Sequence, residues 1–164
     1  MPAEKVYVGI GSNLGDPVST VRGAIELLAK ISKSKLIKYS SLYQSEPLGD
    51  VCQDDYVNAV AALESSLQPG ALLLELLAIE KTYHRQRDPA LKWGPRTLDL
   101  DIILYGNQLI NDSDLTIPHR EMHNRLFVLK PLFEISGEMS IPGLGSLRSL
   151  IDNAPELKIN LVNL

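Results

Sequence analysis

Apolar residues recur along this chain at two spacings, and the switches between them predict the order of elements. Val6-Tyr7-Val8-Gly9-Ile10 is a short apolar run that reads as a first strand. Asp16 before Pro17 marks a helix start, cap then first helical residue, and the helix runs to about Lys30. Leu36 to Gln44 alternates well enough for a second strand, and Tyr56 to Leu63 is a third, apolar apart from Asn58. Between them Ser45-Glu46-Pro47-Leu48-Gly49-Asp50 is a turn-rich loop. Pro69 opens a second helix whose stripe of Leu72, Leu73, Leu76, Leu77 and Ile79 is core packing. Ile102 to Tyr105, entered by the alternating Asp99-Leu100-Asp101, is a fourth, buried strand.

Strand, helix, strand, strand, helix, strand is the order of a ferredoxin-like α+β sandwich, with a mainly antiparallel sheet and helices on one face. Beyond the fourth strand, Gly106-Asn107 makes a turn and Gln108 to Ile110 returns as a short strand. Thr116-Ile117-Pro118-His119 is extended, a helix follows from about Asn124 to Ile135, and the tail carries a short helix near Leu147 to Asn153 with nothing chemical in it.

Composition narrows the class. The 164 residues fit one domain, 45% of them are hydrophobic, and mean hydropathy is near zero. With net charge −4 and a pI of about 5.4, a broad nucleic-acid-binding surface is not expected. Cys52 is the only cysteine, which excludes an internal disulfide and a cysteine-rich zinc site. Met1 to Lys5 begins no signal peptide, and the most apolar stretch, Ala71 to Ile79, is short and interrupted by Glu75, so a cytoplasmic chain off the membrane is expected.

The chemistry concentrates in Trp93-Gly94-Pro95-Arg96-Thr97-Leu98-Asp99-Leu100-Asp101. On a strand, Asp99 and Asp101 point to the same face with Cα atoms about 6 to 7 Å apart. Two such carboxylates repel unless cations lie between them, and hard oxygen ligands suit Mg²⁺. A bare Asp-x-Asp is more often the wet face of a strand; here Arg96, the rigid Gly94-Pro95 turn and the flat surface of Trp93 change the balance. Immediately upstream, His84 to Lys92 holds three cations in nine residues without periodicity, a basic loop able to reach a triphosphate.

Trp93 to Ile102 resembles the signature of the hydroxymethyldihydropterin pyrophosphokinases, which move pyrophosphate from ATP to a pterin alcohol. Gly11-Ser12-Asn13-Leu14-Gly15, Ser45-Glu46-Pro47-Leu48-Gly49, Tyr56-Val57-Asn58-Ala59, Ile117-Pro118-His119 and Asn124-Arg125-Leu126-Phe127 extend the resemblance, in the family's order, over nearly the whole chain. It implies the ferredoxin-like fold, ATP as co-substrate and two Mg²⁺ ions on Asp99 and Asp101. It also implies a pterin held by the Ser45 to Leu48 loop, Tyr56 and Asn58, and stacked between Trp93 and Phe127. By the same resemblance Arg85 and Arg87 belong to a lid that closes over substrates, and Arg85 and Arg96 act with the two acids in catalysis. His119 and Arg125 fall on the ATP phosphates; Glu80, Lys92, Trp93, Arg96, Ile102 and Thr116 complete the nucleotide site. Lys92 stands where the family carries Arg and cannot make the bidentate contact. The loop is also one residue longer, and Leu77 replaces a side chain that is often polar near the adenine.

Other readings are weaker. Gly9-x-Gly11 with Gly15 superficially matches a dinucleotide fingerprint, but its last glycine comes one residue late, and loop geometry explains it. His119-Arg120-Glu121-Met122-His123 has its Glu at the wrong place for a zinc protease, and Pro118 opposes a helix spanning both histidines. A ferredoxin-like RNA-binding module would need a basic surface and an aromatic-rich RNP pattern. A metal-dependent phosphohydrolase is the enzymatic rival, distinguished by release of inorganic phosphate. The chain is expected to act as a monomer on small molecules.

Overall fold

The computed structural model describes residues 2–46, 55–83 and 97–162. β1 (Glu4–Ser12) leads through a short loop into α1 (Pro17–Leu28), which returns the chain to β2 (Ser34–Tyr39) and β3 (Tyr43–Ser45). β4 (Tyr56–Ser65) precedes α2 (Pro69–Tyr83), and β5 (Asp99–Tyr105) completes a βαββαβ core in which β2 and β3 together take the second strand's place. There follow β6 (Ile110–Asn111), β7 (Thr116–Ile117), a 3-10 turn at Met122–Asn124, and α3 (Leu126–Ser136). The chain ends with β8 (Ser140–Ile141), β9 (Gly145–Ser146), α4 (Leu147–Asn153) and β10 (Ile159–Leu161).

The main sheet runs β10-β3-β4-β1-β5, with β2 beside the other half of β4, and every pairing in it is antiparallel. This is the ferredoxin-like arrangement. α1 starts as its sequence dictates, with Pro17 at the first turn and Asp16 Oδ1 accepting from Ser19 N–H at 3.2 Å. Among the described residues no helix is long and apolar enough to cross a membrane.

Helices cover both faces of the sheet, not one. Val6, Val8, Ile10, Ala59, Ala61, Leu63, Leu100 and Ile102 form a core with α1 and α2. On the other face Tyr7, Val60, Ala62 and Ile103 pack with α3 and α4. The physical reason lies in β4: every residue from Val57 to Leu63 is buried, and a run that is apolar on both faces, with Asn58 its one exception, is what a strand covered on both sides requires. Each fully buried Leu in these layers, such as Leu28, Leu72 or Leu129, contributes about 1.5–3 kcal/mol.

Three local expectations change. The single strand expected over residues 36–44 is broken at 40–42, where Ser40 N–H donates to Val60 O (2.8 Å) and Val60 N–H donates back to Ser40 Oγ (2.9 Å). A serine side chain thus substitutes for one rung of the ladder, and the backbone kinks. Gly11, expected in the loop after the first strand, lies inside β1. The tail adds a strand, β10, whose Ile159–Leu161 pairs with β3.

Candidate active site

Alternation on β5 separates two chemistries. Leu100 and Ile102 are buried under α1 and α2, so Asp99 and Asp101 project from the opposite face, the one that carries α3. The Asp101 side chain is 46% exposed and Asp99 is half-buried. Across β1, Gly11 is in register with Asp99 and Gly9 with Asp101. On the far side Gly11 faces Asn58 of β4, and Asn58 faces Tyr43 of β3. A row of four, Asp99, Gly11, Asn58 and Tyr43, therefore crosses the sheet with a bare floor beside the acids.

That floor is glycine for a steric reason. A Cβ on Gly11 would stand 3.0 Å from Asn58 Oδ1, and one on Gly9 would stand 3.1 Å from Ile103 Cδ1. Asn58 itself is buried, and its Nδ2 donates to Ser45 Oγ at 2.8 Å. Ser45 is in register with Tyr56. Ser12 Oγ donates to Thr97 O, fixing the approach to β5 from the last residue of β1.

His119 hangs from the outer edge of the same strand, its N–H donating to Ile103 O at 3.0 Å. Its Nδ1 accepts from Glu121 N–H (3.1 Å), which assigns the proton of the neutral ring to Nε2, 3.9 Å from Asp101 Oδ1. Burial pushes the His119 pKa down; Asp101 pulls it up, Arg125 presses it down, and Glu121 and Arg120 add smaller opposed pulls, the balance remaining below the ordinary value. Arg125 occupies the N-cap position of α3 without a side-chain capping bond, its guanidinium 5.7 Å from the ring centre of the half-buried Phe127.

The structure thus brings Asp99, Asp101, His119, Arg125, Phe127, Ser45, Tyr56 and Asn58 to one face. Thr116 and His119 also line a cavity of about 360 Å³ whose other wall includes Leu109, Pro142 and Leu144. Glu80 takes a specific place: its Oε2 accepts from Leu100 N–H at 2.8 Å, tying the end of α2 to the strand edge between the two acids. Ile102 does not join the site by its side chain, which is 3% exposed in the opposite core because it is one residue out of phase with the acids. Any contact it makes with a nucleotide is through its backbone. Leu48, Arg85, Arg87, Lys92, Trp93 and Arg96 lie outside the described residues. His119 precedes the 3-10 turn that carries His123, so the two do not share a helix face.

The donor set fits a hard divalent cation. Among the described residues no three His, Cys, Asp or Glu side chains cluster in a closed metal cage. Two carboxylates on one face of a strand, one of them open to solvent, match an Mg²⁺ site completed by phosphate oxygens and water. Sequence reasoning missed Gly9 and Gly11 as the site's floor, although glycines two apart in an apolar run are a signal of close approach.

Residues 7–137 match the family model described as 7,8-dihydro-6-hydroxymethylpterin-pyrophosphokinase. The 2-amino-4-hydroxy-6-hydroxymethyldihydropteridine pyrophosphokinase of Haemophilus influenzae is 45% identical over 96% of this chain and 97% of that protein. Its Pseudomonas aeruginosa counterpart is 42% identical over 93% of each. Among solved structures, an HPPK-DHPS in complex with substrates superposes with a TM-score of 0.71 at 13% identity, over 93% of this chain and 43% of that one. The Plasmodium falciparum HPPK-DHPS with pterin and p-hydroxybenzoate gives 0.70 at 13% identity, over 92% and 43%. This chain therefore spans less than half the length of those solved proteins, and they bear on the fold alone.

Proposed function

The chain belongs to the 7,8-dihydro-6-hydroxymethylpterin-pyrophosphokinase family, and we propose that it transfers pyrophosphate from ATP to 6-hydroxymethyl-7,8-dihydropterin, in folate biosynthesis, on the face of the sheet that carries Asp99 and Asp101. The observation that carries this reading is the row in which Gly11 alone separates Asp99 from Asn58. A phosphate-handling edge and an amide suited to a heterocycle's rim stand on one surface, with no side chain between them.

Asp99 and Asp101 would hold two Mg²⁺ ions together with the nucleotide, and such ions would supply neutralisation of the charge that develops on the phosphates. His119, neutral at pH 7, donates Nε2–H to a phosphate oxygen, and Arg125 adds a fixed cation next to it. Arg85, Arg87, Lys92 and Arg96 contribute further positive charge, Arg85 and Arg87 from the lid. Leu48, Tyr56, Asn58 and Ser45 border the pterin, whose faces stack on Phe127 and Trp93. Thr116 and the Ile102 backbone meet the nucleoside, and Glu80 keeps the acid-bearing strand edge in place.

In the transfer the pterin's hydroxymethyl oxygen bonds to the β-phosphorus while the bond from that phosphorus to the α,β-bridging oxygen breaks. AMP leaves with the bridging oxygen, and the alcohol proton is released to water. Positioning and charge neutralisation account for this chemistry without a protein nucleophile. Incubation with ATP, Mg²⁺ and the reduced pterin alcohol is expected to yield AMP and diphosphorylated pterin in equal amounts. Inorganic phosphate in place of that pair would identify a phosphohydrolase and overturn the reading.

A further inference from the structure

α3 and β3 are joined by one carboxylate that the reaction itself does not use. Glu134 accepts from Tyr43 O–H at 2.5 Å, from Ser41 N–H at 3.0 and 3.1 Å, and from Ser41 Oγ at 2.9 Å. Three donors on an exposed carboxylate are more than surface solvation requires, and all three come from the segment where the edge strand breaks. The break matters here. Ser40 replaces a ladder rung to Val60, so Ser41 turns its N–H out of the ladder and toward α3.

Each end of this link leads to a wall of the pterin pocket. On α3, Glu134 lies seven residues after Phe127, two turns along the same side of the helix and about 10 Å away. On β3, Tyr43 is two residues before Ser45, on the same face, and is in register with Asn58. Ser45 in turn accepts from the Asn58 amide. The carboxylate therefore bridges the helix that carries the stacking ring and the strand that carries the ring's hydrogen-bonding edge.

We propose that Glu134 is a positioning residue that sets the width of the pterin pocket, acting through Tyr43 and Ser41 on Ser45 and Asn58; this rests on the reading that the pterin stacks on Phe127 with its hydrogen-bonding edge at Asn58. Loosening the link frees the Ser41 to Ser45 segment from α3, while core packing through Val128, Leu129 and Leu132 keeps α3 and its Arg125 in place, so pterin affinity falls while the nucleotide side is spared. Glu134→Gln keeps the shape but loses the charge and one acceptor oxygen. It is expected to raise the pterin KM and Kd about tenfold, the scale of one lost charge-assisted hydrogen bond. KM for ATP and kcat should stay within about twofold of the parent.

Tyr43→Phe should raise the pterin KM in the same direction by less, and the double variant should be no worse than Glu134→Gln alone, because both act through one link. Asn58→Ala serves as the control. If it leaves pterin binding unchanged, the pocket reading fails and this inference with it. If Asn58→Ala weakens pterin binding while Glu134→Gln and Tyr43→Phe do not, the positioning role alone is overturned. Equal losses toward ATP and pterin, or a fall in kcat alone, overturn it too. Should Glu134→Gln melt below the assay temperature, the comparison of Tyr43→Phe with Asn58→Ala decides on the same criteria.

Discussion

His119 directs Nε2 at the Asp101 carboxylate from 3.9 Å, too far for a hydrogen bond and near enough for both to grip one ligand. Because Glu121 N–H occupies Nδ1, the ring is a fixed Nε2–H donor in its neutral form. His119→Ala should lower kcat/KM for ATP by about 10- to 100-fold, the range for one hydrogen bond to a charged group. His119→Gln, whose amide nitrogen can reach the same position, should recover part of the loss in steady-state assays at pH 7. Equal activity of the alanine variant and the parent would remove His119 from the phosphate site.

Gly11 and Gly9 look equivalent in sequence and should respond differently. A methyl on Gly11 presses on Asn58 Oδ1 at 3.0 Å, and the amide can yield only by breaking its bond to Ser45. A methyl on Gly9 meets Ile103 Cδ1 at 3.1 Å, the terminal methyl of an apolar side chain that makes no hydrogen bond. Gly11→Ala should cost about 1–3 kcal/mol in chemical denaturation and weaken pterin binding as well. Gly9→Ala should cost less and leave pterin binding intact. Reversal of that order would remove Gly11 as the floor of the site.

These two glycines also mark how far the sequence was legible. The acid pair declares itself by a period of two, and α1 by Asp16 and Pro17, because each signal is complete within a few residues. Gly9 and Gly11 do not, since a glycine placed for close approach and one placed for a turn differ only in their neighbours across the sheet. The run from Val57 to Leu63, apolar apart from Asn58, identifies a strand, but helices on one face alone do not account for its burial on both sides. The break at Ser40 and the pairing of β10 with β3 depend on bonds to Val60 and Leu42, far away in the chain. Glu134 was invisible for the same reason: its partners lie more than ninety positions upstream.

Glu134 also predicts a response to acid. Burial raises its pKa, but the hydrogen bonds from Tyr43 and Ser41 outweigh that and hold it below the ordinary carboxylate value. A carboxylate with a depressed folded-state pKa contributes stability that is fully present above its unfolded value of about 4.5 and fades as pH falls through the folded value. Urea denaturation from pH 7 down to pH 3 should show the parent losing its advantage over Glu134→Gln below about pH 4.5, with a plateau difference above that of about 1 kcal/mol, small because the group is exposed. A difference independent of pH would mean that the ionised form is not what Tyr43 and Ser41 hold.

Asp99 and Asp101 share a face, and the proposed role of that pair is to gather divalent cations around the nucleotide. It is tested most directly by titrating ATP into the parent and Asp101→Asn, with and without Mg²⁺, by calorimetry on folded protein. Mg²⁺-dependent ATP binding is expected in the parent, and its loss in Asp101→Asn with the fold intact. Equal Mg²⁺-dependent binding by both proteins would contradict it.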